Sequence, residues 1–270
     1  MRIHSIIAFV LGLSCAAILG AAPTITGVTN SASTLPPGLP NSGVAQGAIF
    51  AVYGSGLGPS TLQEVQSYPL PTTQGLGGTV VTVQVGSVTE TCIMFYTVST
   101  QVAAILPSAT PVGTGTLTVT YQGQSASISI QVLTAGFGTY TLNEAGSGPA
   151  VVTDASYHPI TMVNPAHPGD NVVLWGTGLG AVTGDETEPP VQVDLHTGVQ
   201  VFIENQPATV LYGGRSGDAG LDQINVTVPT GITGGCKTSI AVLVKGVAGN
   251  VTTMAVGRRG RTPAATPPAR

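Results

Sequence analysis

The sequence predicts an all-β protein built from two similar β-sandwich units in tandem, and three observations carry that prediction. The first is an internal repeat. Gly47–Gly58 (Gly-Ala-Ile-Phe-Ala-Val-Tyr-Gly-Ser-Gly-Leu-Gly) returns 122 residues later as Gly169–Gly180 (Gly-Asp-Asn-Val-Val-Leu-Trp-Gly-Thr-Gly-Leu-Gly), and the same offset relates Gln101–Pro107 to Gln223–Pro229. Self-similarity at a fixed spacing marks a duplicated structural unit. The second is composition: 37 Gly and 20 Pro with only 7% charged residues is a poor recipe for helices and a good one for short strands and tight turns. The third is pattern, since no window carries a 3.6-residue apolar stripe while short β-rich runs recur between turn signals.

Residues 1–22 read as a secretory leader. Arg2 gives a positive start, Ile6 to Leu19 an apolar stretch, and Gly20-Ala21-Ala22 the small residues of a cleavage site. The apolar stretch, interrupted by Gly12 and Ser14, is short against the roughly 20 residues a span needs. Cys15 after Leu13-Ser14 hints at a lipoprotein signal, but Gly12 stands where a large aliphatic residue is usual, so plain secretion is expected. No later apolar run is long enough to cross a bilayer, and a mature chain without a membrane span is expected.

Residues 23–135 form the first expected unit, with strands at 24–28, 49–54, 80–85, 92–97, 101–105, 115–121 and 125–132. Gly77-Gly78, Val85-Gly86-Ser87 and Gln122-Gly123-Gln124 supply turns between them. Residues 136–257 repeat the plan at 151–154, 171–176, 198–204, 209–212, 223–228, 238–244 and 252–256. Seven short strands per unit, spaced by turns, predict an immunoglobulin-like sandwich in each half. The Pro/Ala/Thr segment 258–270, with Arg258, Arg259, Arg261 and Arg270, cannot build a core and is expected to be a disordered basic tail.

In each unit a strand runs into Gly-x-Gly-Leu-Gly, followed by Gln-x-x-x-x-x-Pro and a closing hairpin. This sequence of features resembles the IPT/TIG, E-set type of immunoglobulin-like domain. The tandem arrangement is similar to the Solibacter C-terminal domain family of secreted bacterial proteins. His167-Pro168-Gly169-Asp170 fits the Pro-Gly approach to the strand, Gln46-Gly47 keeps only the glycine, and Pro71 with Leu76-Gly77-Gly78 fits the segment before the next strand. The resemblance implies a fold and an extracellular setting; it brings no catalytic residues.

Charge excludes a nucleic-acid partner. Residues 23–135 hold Glu64 and Glu90 and no Lys or Arg, and residues 136–257 set ten carboxylates against Arg215, Lys237 and Lys245. Beyond the leader the cysteines are Cys92 and Cys236. They occupy non-equivalent positions in different units, leaving open a cross-unit bridge or two separate thiols.

The candidate sites are few. Gly54, Gly56 and Gly58, with Gly176, Gly178 and Gly180, superficially match a dinucleotide fingerprint. No helix follows them, so structural corners are the better reading and no cofactor is expected. No Gly-x-Ser-x-Gly elbow exists, and the first unit has no histidine for a dyad. His158, His167 and His196 lack metal-ligand spacing. Asp185, Glu186 and Glu188, and Asp218 with Asp222, suggest calcium only weakly, because their spacing is irregular and Pro189-Pro190 follows; a solvated acidic loop is expected instead. Period-2 alternation puts Phe50, Val52, Val172 and Leu174 toward the core and sends Tyr53 and Trp175 to the opposite face, where such rings stack on a ligand or bury an interface.

The expectation is a secreted, non-catalytic tandem module for adhesion, scaffolding or attachment at the cell surface, with an extracellular protein or polysaccharide as partner. The alternative is a carbohydrate-binding accessory of an extracellular polysaccharide-degrading system. A hydrolase would require at least two of Asp154, His158, His167, Asp170 and His196 to converge in a concave pocket.

Overall fold

The computed structural model describes residues 22–39, 41–190 and 192–257; the expected tail, and the leader apart from Ala22, lie outside the described residues. The described residues contain strands and no helix, so no helix is long and apolar enough to cross a membrane. The fold is a pair of tandem immunoglobulin-like β-sandwiches.

The first sandwich comprises β1 (Thr24–Asn30), β2 (Val44–Ala45), β3 (Ile49–Ser55), β4 (Gln63–Glu64), β5 (Thr79–Val85), β6 (Val88–Thr91), β7 (Ile93–Val98), β8 (Gln101–Ile105), β9 (Gly113–Tyr121) and β10 (Gln124–Leu133). One sheet runs β1-β3-β8-β7-β4 and the other β2-β10-β9-β5-β6. The second sandwich comprises β11 (Gly138–Thr139), β12 (Gly148–Pro149), β13 (Val152–Asp154), β14 (Asn171–Thr177), β15 (Val199–Ile203), β16 (Gln206–Arg215), β17 (Asp222–Thr227), β18 (Gly235–Val244), β19 (Val247–Ala248) and β20 (Thr252–Val256). Its strands join in the order β11-β14-β17-β16-β15-β18-β20-β12.

Alternation explains both cores. Phe50 and Val52 on β3 are fully buried with Val81, Leu117 and Val132, while Val172 and Leu174 on β14 are buried with Ile203, Ile224 and Ile240. Each sandwich folds by passing one strand from sheet to sheet. In the second, β16 pairs with β15 through Gln206–Ala208 and with β17 through Thr209–Arg215. In the first, the passage breaks at Cys92: β6 pairs with β5 and β7 with β8, so the strand expected to begin at Cys92 begins at Ile93. Cys92 is buried and Cys236 exposed, and both are free thiols. Burial pushes the Cys92 thiol far above its ordinary pKa, with Glu90 adding to the effect.

The glycine motifs divide by mechanism. Gly178 has φ 111° and Gly56 φ 65°, left-handed values that disfavour side chains. Gly54 and Gly176 instead lie within strands at ordinary φ, and a Cβ there would run into the Thr24 and Gly138 carbonyls. Close backbone approach, not backbone freedom, accounts for those two, a correction to the reading of all six as corners.

The sequence treats the two units as independent; the structure joins them. Asn30 Nδ2 donates to the Thr177 carbonyl at 3.1 Å and to the Gly136 carbonyl at 3.3 Å. Thr177 Oγ1 accepts from Ile49 N at 2.9 Å and donates to the Gly220 carbonyl at 2.6 Å. Arg215 forms a buried ion pair with Asp222 and reaches across to the Gly47 carbonyl at 2.8 Å. Burial pushes the Asp222 carboxyl up, opposed by Arg215 and by the Leu179 and Gly178 N–H groups. Ala219, in the turn between β16 and β17, packs into an apolar cluster with Ile49, Leu70, Ile93 and Ile105 of the first sandwich. The equivalent β7–β8 turn is only Ser99-Thr100, so the segment Ser216–Leu221 is an insertion that wedges the sandwiches together.

Candidate functional site

The joint creates a groove lined by aromatic rings from both sandwiches. On β3, Phe50 and Val52 occupy the core, so Tyr53 faces the other way and is half-buried. On β7 a bulge between Met94 and Tyr96 interrupts the register with β8. A regular strand would send consecutive side chains to opposite faces; across the bulge Phe95 and Tyr96 both line the groove. From the second sandwich come Trp175 on β14 and Tyr140 just after β11. Trp175 Nε1 donates to Thr153 Oγ1 at 3.1 Å, and the Tyr157 ring lies 6.0 Å away at 40°. Tyr140 N donates to the Trp175 carbonyl at 2.9 Å, and its hydroxyl pairs with Ser31 Oγ of the first sandwich at 2.8 Å.

Three adjoining hollows make up the groove, and Tyr140 lines all of them. One, of about 390 Å³, lies against Tyr53, Phe95, Tyr96, Gln101 and Glu144. A second, of about 470 Å³, lies against Tyr68, Phe95, Asp218 and Leu221. The third, of about 580 Å³, extends over Thr141, Leu142, Glu144, Trp175 and Leu221. Each falls within the roughly 300–1,000 Å³ common for ligand sites.

Several of the groove's polar groups are available. Among the described residues, the hydroxyls of Tyr53 and Tyr96, the Gln101 amide, and the carboxylates of Glu144 and Asp218 have no hydrogen-bond partner in the protein. Three ring groups are already paired, the Tyr140 hydroxyl with Ser31 Oγ, the Tyr68 hydroxyl accepting from Ala219 N and Trp175 Nε1 donating to Thr153 Oγ1, and burial pushes the Tyr140 hydroxyl up to about 12. Burial also raises the Tyr96 hydroxyl, and the nearby Tyr53, Glu144 and Glu64 add to the rise. Among the described residues no Lys or Arg side chain lines the three hollows.

The other candidates lie elsewhere. Asp154 and His158 meet at 3.2 Å, His167 and Asp170 at 3.5 Å, and His196 pairs with Asp194 at 2.7 Å, each within its own exposed turn. These histidines and Asp170 line none of the described hollows, and neither does Asp154. Asp154 is held below its ordinary pKa first by the His158 backbone N–H and then by Ser156 and the His158 side chain. The acidic loop is only partly solvated, contrary to expectation. Asp185 accepts from Thr187 N and Oγ1, while Glu186 accepts from Ser108 N at 2.7 Å and Ser108 Oγ at 2.9 Å across the joint. Asp222 is committed to Arg215, so the Asp218/Asp222 pair offers no shared cation site. Among the described residues no cluster of three or more His, Cys, Asp or Glu is arranged to hold a metal.

Sequence reasoning singled out Tyr53 and Trp175 but not Tyr68, Phe95, Tyr96 or Tyr140. A readable signal existed for part of this. The turn between β16 and β17 is six residues long against two for the β7–β8 turn, and the longer turn needs something to pack against.

No protein-family model matches the chain. No curated protein matches it either. Among solved structures it is similar to SGBP-B from a complex xyloglucan utilization locus in Bacteroides uniformis, with 15% identity over 87% of this chain and 48% of that one and a TM-score of 0.25. A structural-genomics protein of unknown function from Bacteroides thetaiotaomicron aligns with 11% identity over 83% and 46%, at a TM-score of 0.29. Domains 5–6 of the S-layer protein SbsC align with 14% identity over 88% and 100%, at 0.25. The chain thus spans about half the length of the first two. Overlaps this loose carry no argument about function.

Proposed function

We propose that the chain is a non-catalytic attachment module, secreted through the leader at residues 1–22, that acts at the cell surface or in the extracellular space. Its two domains, residues 23–135 and 136–257, belong with the IPT/TIG type of immunoglobulin-like domain and resemble the Solibacter C-terminal tandem. They work as one binding body, with the groove at their joint as the contact surface. One observation carries this reading: the hollows against Tyr53 and against Tyr68 are each lined by residues of both sandwiches, with Tyr140 of the second in both, so neither sandwich alone supplies the whole groove. Ring surfaces held on two packed sandwiches suit attachment. An adhesion or scaffolding role and an accessory role in polysaccharide degradation would both use this groove.

The test is retention. Fluorescently labelled protein is mixed with cells and insoluble extracellular material of its source and the bound fraction is measured. Retention is expected to fall severalfold in Trp175→Ala and in Tyr53→Ala, each checked for native circular dichroism. Equal retention of both variants would overturn the groove as the contact surface.

A further inference from the structure

We infer that the groove takes a neutral polysaccharide chain, binding several sugar residues at once; this rests on the reading of the groove as the contact surface. Half-buried rings present a face or edge to solvent while their bodies are held in place, and Tyr53, Tyr96, Tyr140 and Trp175 all do so. The C–H face of a pyranose ring stacks on such surfaces, and its hydroxyls both donate and accept. The unpartnered groups along the groove match that dual capacity. Gln101 donates and accepts, the Tyr53 and Tyr96 hydroxyls do the same, and the Glu144 and Asp218 carboxylates need donors.

Charge and topology narrow the class. With two carboxylates in the groove, Glu64 nearby and no cation among the described residues lining it, uronate or sulfated chains are repelled. An extended basic peptide would satisfy the carboxylates, but peptides that bind β-proteins draw affinity from main-chain bonds to an open strand edge. Here the rings stand on sheet faces. β3 is paired on both sides, with β1 and β8, and β14 is paired with β17 on one side and with β11 and β13 on the other. Because three hollows adjoin, each with its own aromatic wall, the ligand is a chain rather than a single sugar.

Native gel electrophoresis of the full mature chain through gels containing gluco-, manno-, galacto- or xylo-configured neutral polymers tests this. Polygalacturonate serves as the anionic comparison, and a Lys-rich peptide is followed by fluorescence anisotropy. Retardation by at least one neutral polymer is expected, little altered by salt, with affinity for its oligosaccharides rising with chain length. Trp175→Ala and Tyr53→Ala should each weaken it about tenfold, while the control Leu211→Ser, exposed and outside the groove, should not. If only the peptide binds, and the groove variants abolish it, the sugar assignment is overturned while the groove reading stands. If a neutral polymer binds all variants equally, both fail. If no neutral polymer retards the protein, the sugar assignment is overturned and the groove reading is decided by the retention experiment.

Discussion

Replacing Arg215 with methionine removes a cation whose side chain is only 3% exposed from a carboxylate that is fully buried. Asp222 Oδ2 would keep the Gly178 and Leu179 N–H donors, both at 2.8 Å, but its charge would lose its counter-ion. The Gly47 carbonyl would lose its donor at 2.8 Å. Breaking a buried ion pair by removing one partner costs about 3–5 kcal/mol, a large share of the roughly 5–15 kcal/mol that holds a folded domain together. With a urea m-value of about 1–3 kcal/mol/M, the unfolding midpoint should drop by about 1 M or more. The double variant Arg215→Met with Asp222→Asn should regain part of the loss. It removes the uncompensated charge while the Asn side-chain oxygen still accepts from Gly178 and Leu179. It should not regain all of it, because the Gly47 carbonyl stays orphaned, at about 1 kcal/mol. Urea melts read by circular dichroism provide the assay. A single-variant loss below about 1 kcal/mol, or a double variant less stable than the single, would refute the reasoning that this pair pins the joint.

Other outcomes follow from the same contacts. Gly178→Val places a β-branched residue at φ 111° and drives its Cβ into the Gly136 carbonyl, so it should cost about 3 kcal/mol or more. Gly56→Val, strained chiefly by φ 65°, should cost about 1–3 kcal/mol in parallel urea melts. Alkylation of the native protein followed by peptide mapping should label exposed Cys236 and spare Cys92, whose thiol burial both hides and raises; equal labelling would contradict the packing at the β6–β7 passage. Asp154, Asp185 and Asp194 are held below the ordinary 3.8 by hydrogen bonds in their turns. A depressed carboxylate adds stability above its unfolded value and loses it as pH falls through the folded one. In thermal melts Asp154→Asn, Asp185→Asn and Asp194→Asn should therefore be destabilised relative to the parent above about pH 4 and progressively less so below it, and a penalty that grows on acidification through that window would contradict the assignment.

The strands were legible because their determinants are local. Alternation placed Phe50, Val52, Val172 and Leu174 inside, and turn residues set most boundaries to within a few positions. The Gly-x-Gly-Leu-Gly repeat revealed the duplication, yet it misled about cause, since Gly54 and Gly176 are small to let neighbouring backbone approach. The joint was illegible for a different reason. Asn30 to Thr177, Gly47 to Arg215 and Ser108 to Glu186 are contacts between residues far apart in sequence, and nothing in either segment names its partner. Nor does alternation anticipate a bulge, so Phe95 and Tyr96 could not be placed on one surface from their spacing. Tyr53 and Trp175 could be sent to an outer face, but the groove between them lies where the two sandwiches meet, with Asp218 and Leu221 of the docked turn lining two of its hollows.

Trp175, the chain's single tryptophan, reports on the groove without any label. Titrating the protein with the neutral polymer that most retards it, while recording tryptophan emission, tests directly whether the groove holds the ligand. A saturable change in intensity or wavelength, with a midpoint matching the binding curve and abolished in Tyr140→Ala, is expected. Emission that stays constant while the polymer saturates the protein would show that the ligand sits elsewhere.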